Sequence, residues 1–442
     1  MVSRRRTLHL LGAGLFGLGG CSERGENATP TRTPSPTGTA TGTPTAATDT
    51  TSTGTPSPSG GGFEIDGATP DWERSIGERV HGDPVYADGH VVLAAGETVY
   101  GLDAETGETA WTFDPPVSIE RRVERFDATF RVHDGTLYAL VGVHFGLGGR
   151  DYRLSALRPD GTERWYHESE LGGFHEFVGF RDGVVVLVTN DDEFQPDGQS
   201  VVAVDRGNGR ERWRADTGDA FGGAVGSEVA TVNAGDRVVD CFDLATGDRR
   251  FRFSPPGDDP SVASAVGDGP VFVALRRYDA DGDDPTLYAL SPVSGDEIWS
   301  LAVGSVTSLR LLDDLYVGGA SVRRVGSDGS EVWRYDDGES VTGVPFDEGA
   351  LYIDAESQVV KIDRGNGREL WTANATVASS PVAVGGDAVL SVGDSAVTAR
   401  SVGDGVERWR AISDGEHLLD PMADATGAYL VTGHGGVVKV PF

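Results

Sequence analysis

One turn recurs along this chain at a fixed distance from an aromatic residue. Residues 102–111 read LDAETGETAW, and the cadence returns as ALRPDGTERW, AVDRGNGRERW, LSPVSGDEIW and, before Trp371, KIDRGNGREL. Gly107, Gly161, Gly209, Gly247, Gly295, Gly329, Gly367 and Gly405 each stand four residues ahead of an aromatic side chain. The aromatics are Trp111, Trp165, Trp213, Phe251, Trp299, Trp333, Trp371 and Trp409. Trp72 alone lacks the glycine, with Ala68 in its place. One such spacing means nothing. Eight without slippage mark a stacked repeat.

Each unit follows one plan. An apolar strand such as HVVLAAG leads to a second, TVYGLDA, then a polar turn, ETGE, and an aromatic strand, TAWTFD. The turn needs glycine beside Asp, Asn, Ser or Thr because only glycine enters positive φ without a Cβ clash. Four short antiparallel strands in about 40 residues describe a β-propeller blade. A lone four-stranded sheet leaves its faces uncovered, so Trp111, Trp165, Trp213, Trp299, Trp333, Trp371 and Trp409 read as structural rings that pack blade on blade. No segment with helical periodicity follows residue 70, so the fold class is all-β.

Eight complete units end at the aromatics from Trp111 to Trp409. A further stretch, HLLDPMADATGAYLVTGHGGVVKVPF, has three strands and no aromatic strand. The segment PDWERSIGERV around Trp72 can supply it, pairing an N-terminal strand with C-terminal strands and leaving no open sheet edge. This arithmetic predicts nine blades.

The cadence of Asp103, Thr106, Gly107 and Trp111 resembles the PQQ-type β-propeller repeat found in quinoprotein alcohol dehydrogenases and BamB-like lipoproteins, from about residue 72 onward. The resemblance implies eight blades, one fewer than the count. It also raises an extracellular quinone-dependent oxidoreductase, or another enzyme with a site in the propeller funnel, as the rival to a binding module. In those dehydrogenases the quinone sits with calcium, a catalytic aspartate and, in many, a disulfide of adjacent cysteines. Cys21 and Cys241 are the only cysteines here, so PQQ and calcium find no support and no cofactor is expected. Asp279, Asp281, Asp283 and Asp284 resemble part of a calcium loop but lack its glycine position and distal glutamate. No catalytic residue is assigned.

Charge and the N-terminus say where the chain works. It carries 69 acidic and 37 basic residues, for a net charge of −32, and of the basic residues only Lys361 and Lys439 are lysine. Such a surface excludes nucleic acid as a partner and resembles proteins of halophilic archaea. Residues 1–21 read as an export signal. Arg4, Arg5 and Arg6 precede an apolar run that is too short to span a bilayer and ends at Cys21. The paired arginines resemble a twin-arginine signal, and Leu18-Gly19-Gly20-Cys21 resembles a lipobox, which implies lipid attachment at Cys21. Residues 22–65 are a Thr/Pro/Ser/Gly-rich stalk, with a glycosylation sequon at Asn27 and a second in the propeller at Asn374. Residues 66–442 form the propeller. The expected product is monomeric and lies on the extracellular face of the cell membrane.

The candidate site lies in the departures from the repeat. Three connections between second and third strands are lengthened, at 142–153, 190–199 and 276–285. They share a face with the blade-to-blade connections, where Arg121, Arg122 and Arg125 fall, and Arg150 lies in the first insertion. These arginines can grip an anionic protein or polysaccharide by forked hydrogen bonds, or pair with Glu120 and Glu124. His144, His167 and His175, with Asp191 or Glu193, can converge on a metal or simply face water. The reading is a lipid-anchored propeller that binds or scaffolds an envelope protein or polysaccharide.

Overall fold

The structure, a computed structural model, describes residues 62–116, 123–145, 149–168, 173–181, 183–190, 199–218, 220–234, 238–256, 262–275, 286–304, 306–319, 321–336, 349–355, 358–374, 383–393, 395–413 and 417–442. Every regular element among them is a strand. The strands form nine antiparallel sheets. Blades 1 to 8 occupy residues 80–113, 123–168, 173–216, 220–253, 262–301, 306–335, 350–374 and 383–413. Three strands of blade 7 lie within the described residues. Blade 9 is composite: Trp72–Ser75 pairs with Gly436–Pro441, opposite Lys439 down to Gly436. The count of nine and the closure by Trp72 both stand, and the eight blades implied by the resemblance give way to nine.

The core is divided among the blade junctions. Nine apolar clusters form, and each joins two neighbouring blades, from the Val92–Phe126 cluster between blades 1 and 2 to the Val91–Tyr429 cluster between blades 9 and 1. Strands with almost wholly buried sequences, such as Val229–Ala234, are sandwiched on both faces, which explains their near-continuous apolar composition. The first strands of neighbouring blades pack on one another, so they line the axis.

The repeated turn locks the outer edge. The ring of Trp213 lies where a Cβ on Gly247 of the next blade would be, 2.7 Å from its six-membered ring atoms, and Gly247 has φ of +77°. Any other residue there would meet both a ring and backbone strain. The same seat holds Trp72 on Gly107, Trp111 on Gly161, Trp165 on Gly209 and Trp299 on Gly329. Except at Trp111, whose Nε1 has no hydrogen-bond partner, the indole N–H then donates to a carbonyl of the next blade, as Trp213 Nε1 does to Leu244 at 2.8 Å and Trp409 Nε1 to Pro441 at 2.9 Å. Phe251 has no N–H to give. There Arg250 Nη1 donates to the equivalent Pro292 carbonyl at 3.2 Å.

Two features differ from expectation. Phe63–Asp66 is a strand that adds to the outer edge of blade 8, pairing Phe63 with Ser413 and Asp66 with Arg410. Residues 63–65, assigned to the stalk, belong to it. The insertion at 142–153 is mostly strand: Thr136–Phe145 and Gly149–Leu157 run on as a long hairpin. Gly142 is required there, because a Cβ would stand 2.5 Å from the Tyr152 ring. The other two insertions lie almost wholly outside the described residues.

Candidate functional site

The long hairpin builds a tongue on blade 2. Its first three strands have 11, 10 and 9 residues, against 6 in each of the corresponding strands of blade 4. Among the described residues the outer strand, Glu163–Glu168, reaches only as far as Arg153. Beyond that row three described strands continue for about four residues, or about 13 Å at the usual rise.

Arg153 fixes the base of the tongue. It is buried, and its guanidinium holds both oxygens of Glu163 at 2.8 and 2.9 Å and Glu168 Oε1 at 2.9 Å. Its guanidinium carbon also lies 3.6 Å from the centroid of the Tyr166 ring. A buried cation with two carboxylates and an aromatic face has its charge fully compensated.

Above this anchor the register gathers candidate residues. Arg125 pairs with His144, and His144 pairs with Arg150, so the three occupy one cross-strand row of the tongue. Their side chains lie outside the described set, as do Arg121 and Arg122 altogether. His167 does not join them. It lies on the outer strand opposite Leu154, four rows from the row of Arg150, with the third strand between it and His144. Its Nδ1 is 3.0 Å from the Gly209 carbonyl of blade 3, and its Nε2 is 3.9 Å from Glu211. Burial pulls its pKa down, partly offset by the Gly209 contact. His175 sits at a register shift in the inner strand of blade 3, with its side chain undescribed. The side chains of His144 and His175 lie outside the described set, so the metal trio with His167 is not tested, and no group of three metal-ligating side chains occurs among the described residues.

Other expectations resolve simply. Cys241 is buried, and burial pushes its thiol up to about 12, which makes it inert. Asn374 is exposed at the end of the outer strand of blade 7, and its carbonyl accepts Arg400 Nη2 at 2.7 Å. Cys21, Asn27, Asp191, Glu193 and the acidic loop from Asp279 to Asp284 lie outside the described residues.

A second charged locus lies at the axis, where the ring closes. Asp83 belongs to the inner strand of blade 1, and Asp420 stands two residues before the start of that of blade 9. Gly82, at φ of +72°, brings the strand so close to blade 2 that a Cβ would stand 1.8 Å from the Ala128 carbonyl oxygen. This holds Asp83 in an interruption of the pairing between His81 and Val85. Burial pushes Asp420 up to about 6, and the charge of Asp83 adds to the rise while His417 opposes it. Burial also raises Asp83, against the pull of Arg131 and His417. Arg131 in turn faces Glu176, whose Oε2 accepts the Gly222 N–H at 2.9 Å. The sequence contained a signal for this pair: Asp83-Pro84 and Asp420-Pro421 are the same dipeptide at the same place in neighbouring blades.

Comparison with known proteins agrees with this architecture. Residues 35–142, 150–315 and 318–440 match the family described as outer membrane protein assembly factor BamB. No curated protein matches the sequence. The crystal structure of BamB from Moraxella catarrhalis aligns with 85% of this chain and 100% of its own, at 15% identity and a TM-score of 0.50. The computationally designed Ika8 protein aligns with 83% of this chain and 98% of its own, at 17% identity and 0.49. A quinohemoprotein alcohol dehydrogenase from Comamonas testosteroni aligns with 85% of this chain and 76% of its own, at 13% identity and 0.47. At these identities the likeness concerns the fold alone.

Proposed function

This chain belongs to the family of the outer membrane protein assembly factor BamB, and we propose that it is a lipid-anchored binding module that holds an envelope protein or polysaccharide against one face of its ring. Cys21 carries the lipid, residues 22–62 form the tether, and the acidic surface suits a halophilic archaeon. The propeller needs neither quinone nor metal for this role.

The observation that carries the reading is the tongue of blade 2. It breaks the repeat, runs past the described end of the outer strand, and sets Arg125 and Arg150 in one row beside His144. On a chain of net charge −32, a row of arginines is a local reversal of the field and a natural place for a partner's carboxylates. Arg121 and Arg122 extend the same row of charge in the sequence. The test is charge reversal in the full chain. Arg125→Glu with Arg150→Glu is expected to lower crosslinked capture of the envelope partner at least tenfold while leaving the thermal melt in place. Capture at the wild-type level by a folded variant would refute the tongue as the binding face.

A further inference from the structure

The position just before the aromatic residue divides blades 2 to 8 into two kinds, while blade 1 has Ala110 there. In every complete blade with a described outer strand it lies in the first turn-proximal residues, where the pairing register shifts. Blades 2, 3, 4 and 8 carry arginine there, and each has a polar partner. Arg164 donates to Thr136, Arg212 to Asp205, Arg250 to Asp243 and Arg408 to Asp387. Blades 5, 6 and 7 carry Ile298, Val332 and Leu370 instead, at 55%, 49% and 41% exposure.

These three residues stand at the same repeat position on three consecutive blades. Trp299, next to Ile298, donates its N–H to the Ser327 carbonyl in the turn of blade 6 at 3.0 Å. Trp333, next to Val332, does the same to the Arg364 carbonyl in the turn of blade 7 at 3.0 Å. Ile298 and Val332 thus each directly precede a tryptophan that is anchored to the turn of the next blade. Val293, in the turn of blade 5, extends the exposed apolar surface. An exposed glutamate precedes each aliphatic residue: Glu297, Glu331 and Glu369. The result is an apolar arc with an acidic border on three consecutive blades.

We propose that this arc docks a segment of another protein that presents aliphatic side chains flanked by arginine or lysine. Aliphatic contact supplies the affinity and the acidic border selects the charge of the partner. The arc is on the turn side of the blades, at the opposite end of the strands from the row of Arg125, His144 and Arg150, so it is a second surface and not part of the tongue.

The test uses the full chain and two labelled synthetic peptides, one alternating leucine with arginine and one alternating leucine with glutamate, read by fluorescence anisotropy. The arginine peptide is expected to bind at least tenfold more tightly than the glutamate peptide. The combined Ile298→Ser, Val332→Ser and Leu370→Ser variant, which leaves the net charge unchanged, should lose at least tenfold for the arginine peptide. Val132→Ser, an exposed apolar position on blade 2, should lose nothing. Circular dichroism melts check that each variant is folded, and Val332→Ser alone reports a smaller loss of the same kind if the triple variant melts early. Equal binding by the serine variant, or equal binding of the two peptides, would overturn the proposal. So would sedimentation showing a dimer that the serine variant dissolves, which would make a second copy the occupant, or serine-sensitive pelleting with phosphatidylcholine vesicles, which would make it lipid. The Arg125→Glu, Arg150→Glu chain should keep its peptide binding, so the failure of either surface is read separately.

Discussion

Blade 4 and blade 2 are built on the same repeat, and they diverge at one end only. In blade 4 every strand has five or six residues, and two of its aspartates are paired with arginines of the same blade. Asp240, fully buried, receives Arg252 at 2.7 and 2.8 Å and Arg249 at 3.5 Å, while Asp243 receives Arg250 at 2.7 Å. Blade 2 keeps the same turn and aromatic seat, with Trp165 donating to the Arg206 carbonyl at 2.8 Å. At its far end it adds the tongue, with Arg153 as anchor. At the turn end the aromatic ring is seated on the next blade's glycine, so that seat cannot vary without breaking the ring, although the residue beside it can. The far end meets no such seat and is free to acquire a binding surface.

That contrast can be broken most severely at the seat. Trp213→Ala removes a ring that is 7% exposed and is expected to cost about 3–5 kcal/mol in denaturant unfolding. A cost below about 1 kcal/mol would mean that the turn end does not hold the ring together. A smaller effect with a distinctive pH dependence is expected where blades 9 and 1 meet. An unfolded aspartate releases its proton near 3.8 and folded Asp420 near 6, so stability is lost as pH climbs through that interval. Asp420→Asn should therefore stabilise the chain above pH 6, by about 1–2 kcal/mol after allowance for solvent screening, and gain little below pH 4. A destabilised variant at pH 7.5 would contradict the burial assigned to this carboxyl. The smallest effect belongs to the tongue. Arg125→Glu with Arg150→Glu should change unfolding free energy by no more than about 0.5 kcal/mol if the two arginines serve a partner and not the scaffold. A larger loss would make those arginines part of the scaffold.

What the sequence made legible follows the same division. The turn, the aromatic seat, the blade count and the closure through Trp72 rest on local chemistry repeated at fixed spacing, and all were readable. The strand Phe63–Asp66 was missed because four residues beside a Thr/Pro/Ser-rich stretch carry too little pattern to announce a strand. The tongue was read as a loop because Gly142 and the glycines at 146, 148 and 149 look like turn signals. Only the packing of Tyr152 explains Gly142 as a strand residue. The pair Asp83 and Asp420 stands at opposite ends of the chain, and only closure of the ring brings their charges into range. His167 offered a metal ligand by type, yet its place on the outer strand against Gly209 follows from register, which residue spacing alone does not reveal.

The most direct test of the tongue as a partner face is crosslinking of the full chain in its own envelope at multimolar salt, with the crosslinked residues read by mass spectrometry. The account predicts crosslinks to one partner concentrated within residues 118–199. Crosslinks spread evenly around the blades, or confined to the turn side, would contradict it.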